Sequence, residues 1–143
     1  MSADQDPVSI FTRGYAAAVH AKDVDAFVAL YDDEVCVFDM WGSWSYDGLA
    51  AWREMAAGWF GSLGDERVLV EFSDVNRTVT PELIVARAFV SYAAVDATGA
   101  RLRSLSNRMS VALRRGAGGA WKVVHEHSSS PIDLQTTKAI FSR

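Results

Sequence analysis

The sequence predicts an α+β fold in which three N-terminal helices pack on one face of a curved, mostly antiparallel sheet. Three observations carry this. Apolar residues recur at helical spacing up to about residue 65, and from Glu66 onward the period changes to two. Thr80-Pro81, Asp96-Ala97-Thr98-Gly99 and Gly116-Ala117-Gly118-Gly119 are turn-type sequences that cut this second half into four long segments. Consecutive strands joined by short turns form a meander, and helices that precede strands rather than alternate with them mark an α+β order.

The first helix is expected over residues 9–20. Phe11, Tyr15, Ala18 and Val19 follow the i, i+4, i+7, i+8 spacing of one apolar face, and Pro7 sits where a helix can begin. Tyr15 is thereby on the buried side, with a hydroxyl that needs a partner. Asp23 is a good N-cap for a second helix over residues 24–31, with Phe27, Leu30 and Tyr31 inward. Asp32-Asp33-Glu34 is read as its end, leading to a short strand over residues 35–39.

In that strand Val35, Val37, Asp39 and Trp41 share a face, because successive strand side chains alternate. An acid that follows two core valines is either partly buried, with a raised pKa suited to proton transfer, or a solvated strand end. Trp41 to Asp47 reads as a Gly/Ser/aromatic loop able to serve as a lid. The third helix is expected over residues 49–63, with Leu49, Trp52, Met55 or Ala56, and Trp59 on its buried stripe and Gly61 and Gly64 at its end. Such a stripe is more often core than ligand site. The four strands that follow are placed at 67–79, 82–95, 101–115 and 120–130.

The last strand, Trp121-Lys122-Val123-Val124-His125-Glu126-His127-Ser128-Ser129, is the most informative stretch. Strict alternation puts Trp121, Val123, His125, His127 and Ser129 on one face and Lys122, Val124, Glu126 and Ser128 on the other. The core face then turns polar at His125 and His127, as the wall of a small-molecule pocket does. Two histidines at i and i+2 also suit a metal, but His20 and Cys36 make poor further ligands, so no metal is expected.

The chain has 143 residues, enough for one domain, residues 1–143, and too few for two. Half the residues are hydrophobic, which predicts a well-packed core. A net charge of −4 with dispersed Lys and Arg argues against nucleic acid as a partner. One Cys excludes an intramolecular disulfide and fits a reducing compartment. No apolar run nears the ~20 residues of a membrane span. The stretch from Met1 to Pro7 is polar and acidic, unlike a signal peptide. The expectation is a soluble, cytoplasmic protein without membrane contact. There is no phosphate-binding Gly loop and no Gly-x-Ser-x-Gly elbow.

The segments Asp23-Val24-Asp25-Ala26-Phe27-Val28-Ala29-Leu30-Tyr31-Asp32-Asp33-Glu34-Val35, Val37-Phe38-Asp39 and Asp47-Gly48, with Tyr15 before them and the His125-Glu126-His127-Ser128 ending, resemble the NTF2-like superfamily in its SnoaL-like and ketosteroid-isomerase-like branch. The resemblance covers nearly the whole chain. It implies a cone-shaped fold with a pocket between sheet and helices. It also implies that Tyr15 stands where ketosteroid isomerase has its oxyanion-binding tyrosine, and Asp39 where it has its general base. In that enzyme a protonated aspartic acid completes the oxyanion hole. Here the matching strand reads Ser106-Asn107-Arg108-Met109-Ser110 and holds no acid, which speaks against steroid isomerisation itself. Asn107 is the nearest neutral donor, and a one-residue change of register would turn Arg108 inward instead.

Two functions fit these residues. One is cofactor-free acid–base catalysis (isomerase, dehydratase or cyclase) on a small apolar or aromatic carbonyl or hydroxyl compound. Asp39, Tyr15 and His127 would be catalytic, with His125, Asn107, Trp41, Trp52 and Trp59 binding substrate. The other is a non-catalytic ligand-binding or dimerisation domain, since the closing segment also resembles the association domain of calcium/calmodulin-dependent kinases. A homodimer is expected through the outer sheet face. The strand over 82–95 carries Val85, Phe89 and Val95 on one side and Ile84, Val90 and Tyr92 on the other, instead of one apolar and one polar face.

Overall fold

The structure is a computed structural model that describes residues 5–143; the first four residues of the polar stretch from Met1 to Pro7 lie outside the described residues. Three helices, α1 (Pro7–Ala21), α2 (Val24–Val28) and α3 (Leu49–Ser62), cover one face of a six-stranded sheet. The strands are β1 (Tyr31–Phe38), β2 (Tyr46–Asp47), β3 (Arg67–Val79), β4 (Leu83–Val95), β5 (Arg101–Arg115) and β6 (Trp121–Ser129), in the order β2-β1-β6-β5-β4-β3. All neighbours are antiparallel except β1 and β6. The α+β class and the meander are as the sequence predicts.

Helix α1 starts at Pro7, two residues earlier than expected. Asp6 caps it, accepting from the amides of Val8 and Ser9, and Pro7 takes the first position. It ends at Lys22, whose φ of 56° turns the chain away. Asp23 caps α2 through the Ala26 amide, as expected. Helix α2 is shorter than its apolar spacing implies. Tyr31 is the first residue of β1, not the last of the helix, because the Leu30 carbonyl accepts the Val123 amide and pulls the chain onto β6. Asp32, Asp33 and Glu34 lie within the strand rather than ending an element. The Trp41–Asp47 segment is not all loop, since Tyr46 and Asp47 pair with Val37 and Cys36.

The core lies between α1, α2 and α3 and the inner sheet face. Phe27 is fully buried at its centre, with ring centroids 5.3 Å from Tyr15, 5.9 Å from Trp52 and 5.7 Å from Phe60. Burying a side chain of that size contributes roughly 1.5–3 kcal/mol. Ile84, Val90, Val111, Leu113 and Val123 supply the sheet side.

Irregular positions shape the sheet. The register of β3 against β4 shifts between Ser73 and Asn76, where Asp74 has φ 52°. Strand β6 shifts against β5 between the pairs Leu113–Val123 and Ala112–His125, which leaves Val124 as an extra residue. Such bulges bend a strand and increase its twist. The second has the larger consequence for function. Each extra residue reverses which face the following side chains take, so beyond Val124 the odd-numbered residues of β6 point outward.

Candidate functional site

A cavity of about 750 Å³ opens between α3, the second half of α1 and the inner faces of β3–β5. Helix α3 supplies most of the helical wall. In α3, Trp52, Ala56 and Phe60 are buried, while Met55 and Trp59, four residues apart, are half-buried and face the cavity. Tyr15 from α1, Tyr46 from β2 and Trp41 beyond β1 continue an aromatic lining. The size and the apolar walls suit a ligand of drug-like dimensions.

Among the polar groups that line this space, with Glu54, Arg103, Ser104 and Asn107, two bear on its chemistry. Tyr15 and Tyr92 form a phenol pair with hydroxyl oxygens 3.0 Å apart. Burial, followed by the mutual effect of the two phenols, holds the Tyr15 pKa well above its usual range; burial also raises that of Tyr92. Both rings therefore remain neutral donors. One phenol donates to the other, and the second keeps its proton for a ligand oxygen. Asp39 is the other group. Its Oδ1 accepts from Ser128 Oγ at 3.0 Å and its Oδ2 from the Trp41 amide at 3.4 Å. Ser128 Oγ in turn accepts from the Met40 amide at 3.1 Å. Burial raises the Asp39 pKa, and the Ser128 hydroxyl with the Trp41 and Met40 amides offsets part of that rise.

Asn107, and not Arg108, faces the cavity, and its Nδ2 donates to Met40 Sδ at 3.1 Å. Arg108 is outside, donating from Nε to Ser129 Oγ at 2.9 Å. Trp41, Trp52 and Trp59 all line the cavity. The histidines do not. His125 Nδ1 lies 2.8 Å from the Cys36 carbonyl, and the His127 ring stands edge-on to Phe38 on the outer face of the sheet. His127 borders a separate outer cleft with Arg87, Phe89 and Arg108. The expected face assignment is therefore corrected from His125 onward, and the bulge at Val124 is the reason.

What faces inward instead is Glu126, 1% exposed, with Tyr31 Oη donating to its Oε1 at 2.6 Å. Burial pushes its carboxyl up to about 8; the Tyr31 hydroxyl lowers it and the charge of Asp39 raises it further. Alternation through a regular strand hides both Glu126 and Ser128. Tyr92 was accessible to sequence reasoning, since it shares parity with Ile84 and Val90 in β4. Among the described residues, no group of three or more His, Cys, Asp and Glu is placed to hold a metal ion. No helix among them is long and apolar enough to cross a membrane.

No functionally curated protein matches the sequence significantly. Solved structures do match. An NTF2-like protein of unknown function from Pseudomonas putida is 25% identical, with a TM-score of 0.83 over 99% of this chain and 96% of that one. A putative calcium/calmodulin-dependent protein kinase II association domain from Xanthomonas campestris has a TM-score of 0.74 at 11% identity, over 89% and 87% of the two chains. A ketosteroid isomerase-like protein from Erwinia carotovora atroseptica has a TM-score of 0.68 at 18% identity, over 92% and 100%. At such identities the last two establish the fold alone. The SnoaL-like domain matches residues 8–133, which include every element from α1 to β6 except the first residue of α1. The chain is thus a member of the SnoaL-like family, within the NTF2-like superfamily.

Proposed function

We propose that the protein catalyses proton transfer on a small, largely apolar carbonyl or hydroxyl compound, as an isomerase, dehydratase or cyclase. One observation carries this reading: the half-buried Asp39 carboxylate and the Tyr15–Tyr92 phenol pair open on the same aromatic cavity. Asp39 is the base. With two oxygens held by Ser128 and the Trp41 amide, it keeps one geometry, and its raised pKa makes it more basic than a solvated aspartate. It removes a proton beside the substrate carbonyl, and the electron pair moves onto the carbonyl oxygen. Tyr15, backed by Tyr92, donates to that oxygen as charge develops there. The proton then returns from Asp39 to another carbon or to a leaving hydroxyl; in ring closure the enolate carbon instead attacks a second carbonyl carbon of the substrate, the C=O π pair moves onto that oxygen, and the oxygen takes the proton from Asp39. A placed base is worth about 10²–10⁴-fold, and one oxyanion donor about 10²–10³-fold.

The test needs no knowledge of the natural substrate. Cyclic ketones of graded size in deuterated water report α-carbon exchange by NMR. We expect exchange above buffer background, reduced at least about 100-fold in Asp39→Asn and about tenfold or more in Tyr15→Phe. Equal exchange in Asp39→Asn would sink the base assignment and favour a non-catalytic binding domain.

The same reading includes a homodimer. The likeness to an association domain supports it, as does the outer sheet face, where Phe38 and Val85 are exposed. Sedimentation is expected to give a dimer at tens of micromolar, and a monomer there would reject it.

A further inference from the structure

Residues 131–143 follow β6 and return along the sheet in an unusual way. A bridge between Ile132 and Ala139, with the Ile140 amide donating to the Pro131 carbonyl at 2.8 Å, closes a small loop. Asp133 organises its turn by accepting from the amides of Gln135 and Thr136. The chain then runs beside β5, beyond the last β6 partner at Arg108, where the Ser106 amide donates to the Phe141 carbonyl at 2.7 Å.

The two residues flanking Ser142 go to opposite sides of the sheet. Phe141 stacks on Trp41 at the cavity, with ring centroids 5.6 Å apart and planes 26° from parallel. Arg143 lies on the outer face, its guanidinium 3.8 Å from the centroid of Phe89 and 3.4 Å from Asp74 Oδ2. Both rings of the stack are partly exposed, Trp41 at 53% and Phe141 at 37%. An exposed stack of this kind shifts an equilibrium by only roughly two- to tenfold, weak enough to open without unfolding anything else. The segment from residue 134 onward also lies outside the residues that match the family.

We propose that residues 131–143 form a strap whose Phe141, stacked on Trp41, gates the cavity and sets which ligands enter, with Arg143 as its latch on the opposite face of the sheet. This rests on the cavity being a ligand site and not on Asp39 being a base. Arg143 cannot touch a ligand in the cavity, so any effect it has on entry passes through the strap.

Stopped-flow fluorescence with two neutral probes, 2-naphthol and the larger N-phenyl-1-naphthylamine, tests the gate. Phe141→Ala is expected to speed entry and exit of the larger probe by about tenfold each, with a smaller effect on 2-naphthol and an affinity within about threefold. Arg143→Ala should act in the same direction by roughly threefold, the scale of an exposed cation–π contact and ion pair. Hydrogen exchange supplies a readout without ligand: the Ser106 amide should exchange faster in both variants while the β4–β5 ladder keeps its protection. Unchanged probe rates and an equally protected Ser106 in both variants would overturn the gate. So would weaker binding confined to Phe141→Ala, which would make Phe141 a wall. Failure of both probes to bind the native protein overturns gate and cavity together. Failure of the ketone exchange assay alone leaves the gate standing.

Discussion

Glu126 and His127 are neighbours in β6, and they live in different solvents. Glu126 faces the helices, is sealed from water and has a phenol as its partner. His127 faces outward, exposed beside Phe38 and the rim of the outer cleft. Without the extra residue Val124 their places would be exchanged. An exchange of that kind would put two imidazoles in the core and a carboxylate outside. The chemistry available to the cavity is therefore set by one backbone irregularity as much as by the residues present. A protonated Glu126 adds no charge to the inner wall, and the proposed base, Asp39, does not compete with it for the phenol pair.

Truncating each neighbour breaks the comparison most directly. Glu126→Ala removes the acceptor of the buried Tyr31 hydroxyl and leaves a void in a closed core. It should cost about 2–5 kcal/mol. His127→Ala removes an edge contact on an exposed face and should stay within about 0.5 kcal/mol. Urea unfolding near pH 6 measures both. Similar costs would mean that the faces of β6 are not as described.

A second, somewhat smaller effect is the pH dependence of stability. Glu126 titrates near 8 in the folded chain and near 4.5 when solvated. Between these values the unfolded chain gives up a proton that the folded chain keeps, so stability falls as pH rises. The contribution is complete below about pH 4.5 and lost as pH passes through about 8. Asp39, also raised by burial, adds a term of the same sign. The native protein should lose on the order of 2–4 kcal/mol between about pH 5 and 8. Glu126→Gln, which is neutral throughout, should remove most of that slope. Parallel curves for the two proteins would show that Glu126 is not the titrating group.

The two regions also differ in how far the sequence discloses them. The helix starts follow from short-range chemistry: Asp23 caps α2 through an amide three residues on, and Pro7 stands where only a first helical turn accepts it. The turns of the meander fall between the observed strands for the same local reason. Asp39 was reachable because the alternation of Val35 and Val37 in β1 carries over to Asp39, one residue past the strand end. The bulge in β6 was not. Val123, Val124 and His125 all fit a regular strand, and only pairing to β1 on one side and β5 on the other selects the extra residue. Tyr31 is a similar case, helical by apolar spacing and a strand residue by its pairing with Val123. Phe141 belongs to no periodic segment, and its place at the cavity depends on a backbone bond to Ser106, 35 positions away.

The smallest expected effect on folding comes from carrying the comparison to β4, where inner and outer faces alternate without interruption near Val85 and Val90. Val90 is 1% exposed on the inner face and Val85 is 50% exposed on the outer one. Valine and threonine have nearly the same shape and similar strand preference, so the substitution isolates the hydroxyl. Val90→Thr buries a hydroxyl among apolar neighbours and should cost about 1–3 kcal/mol. Val85→Thr leaves its hydroxyl in water and should change monomer stability by less than about 0.5 kcal/mol. The second substitution also probes the proposed homodimer. If copies pair through the outer face, Val85 is buried in the assembly, and the hydroxyl becomes as costly there as at Val90. Unfolding would then shift with protein concentration, and with two such hydroxyls per dimer the dissociation constant measured by sedimentation would rise by at least about 30-fold while the isolated chain stayed as stable as before. A Val85→Thr protein that dimerises as tightly as the native one would place the interface elsewhere, and would leave the outer face as the solvated side of the sheet.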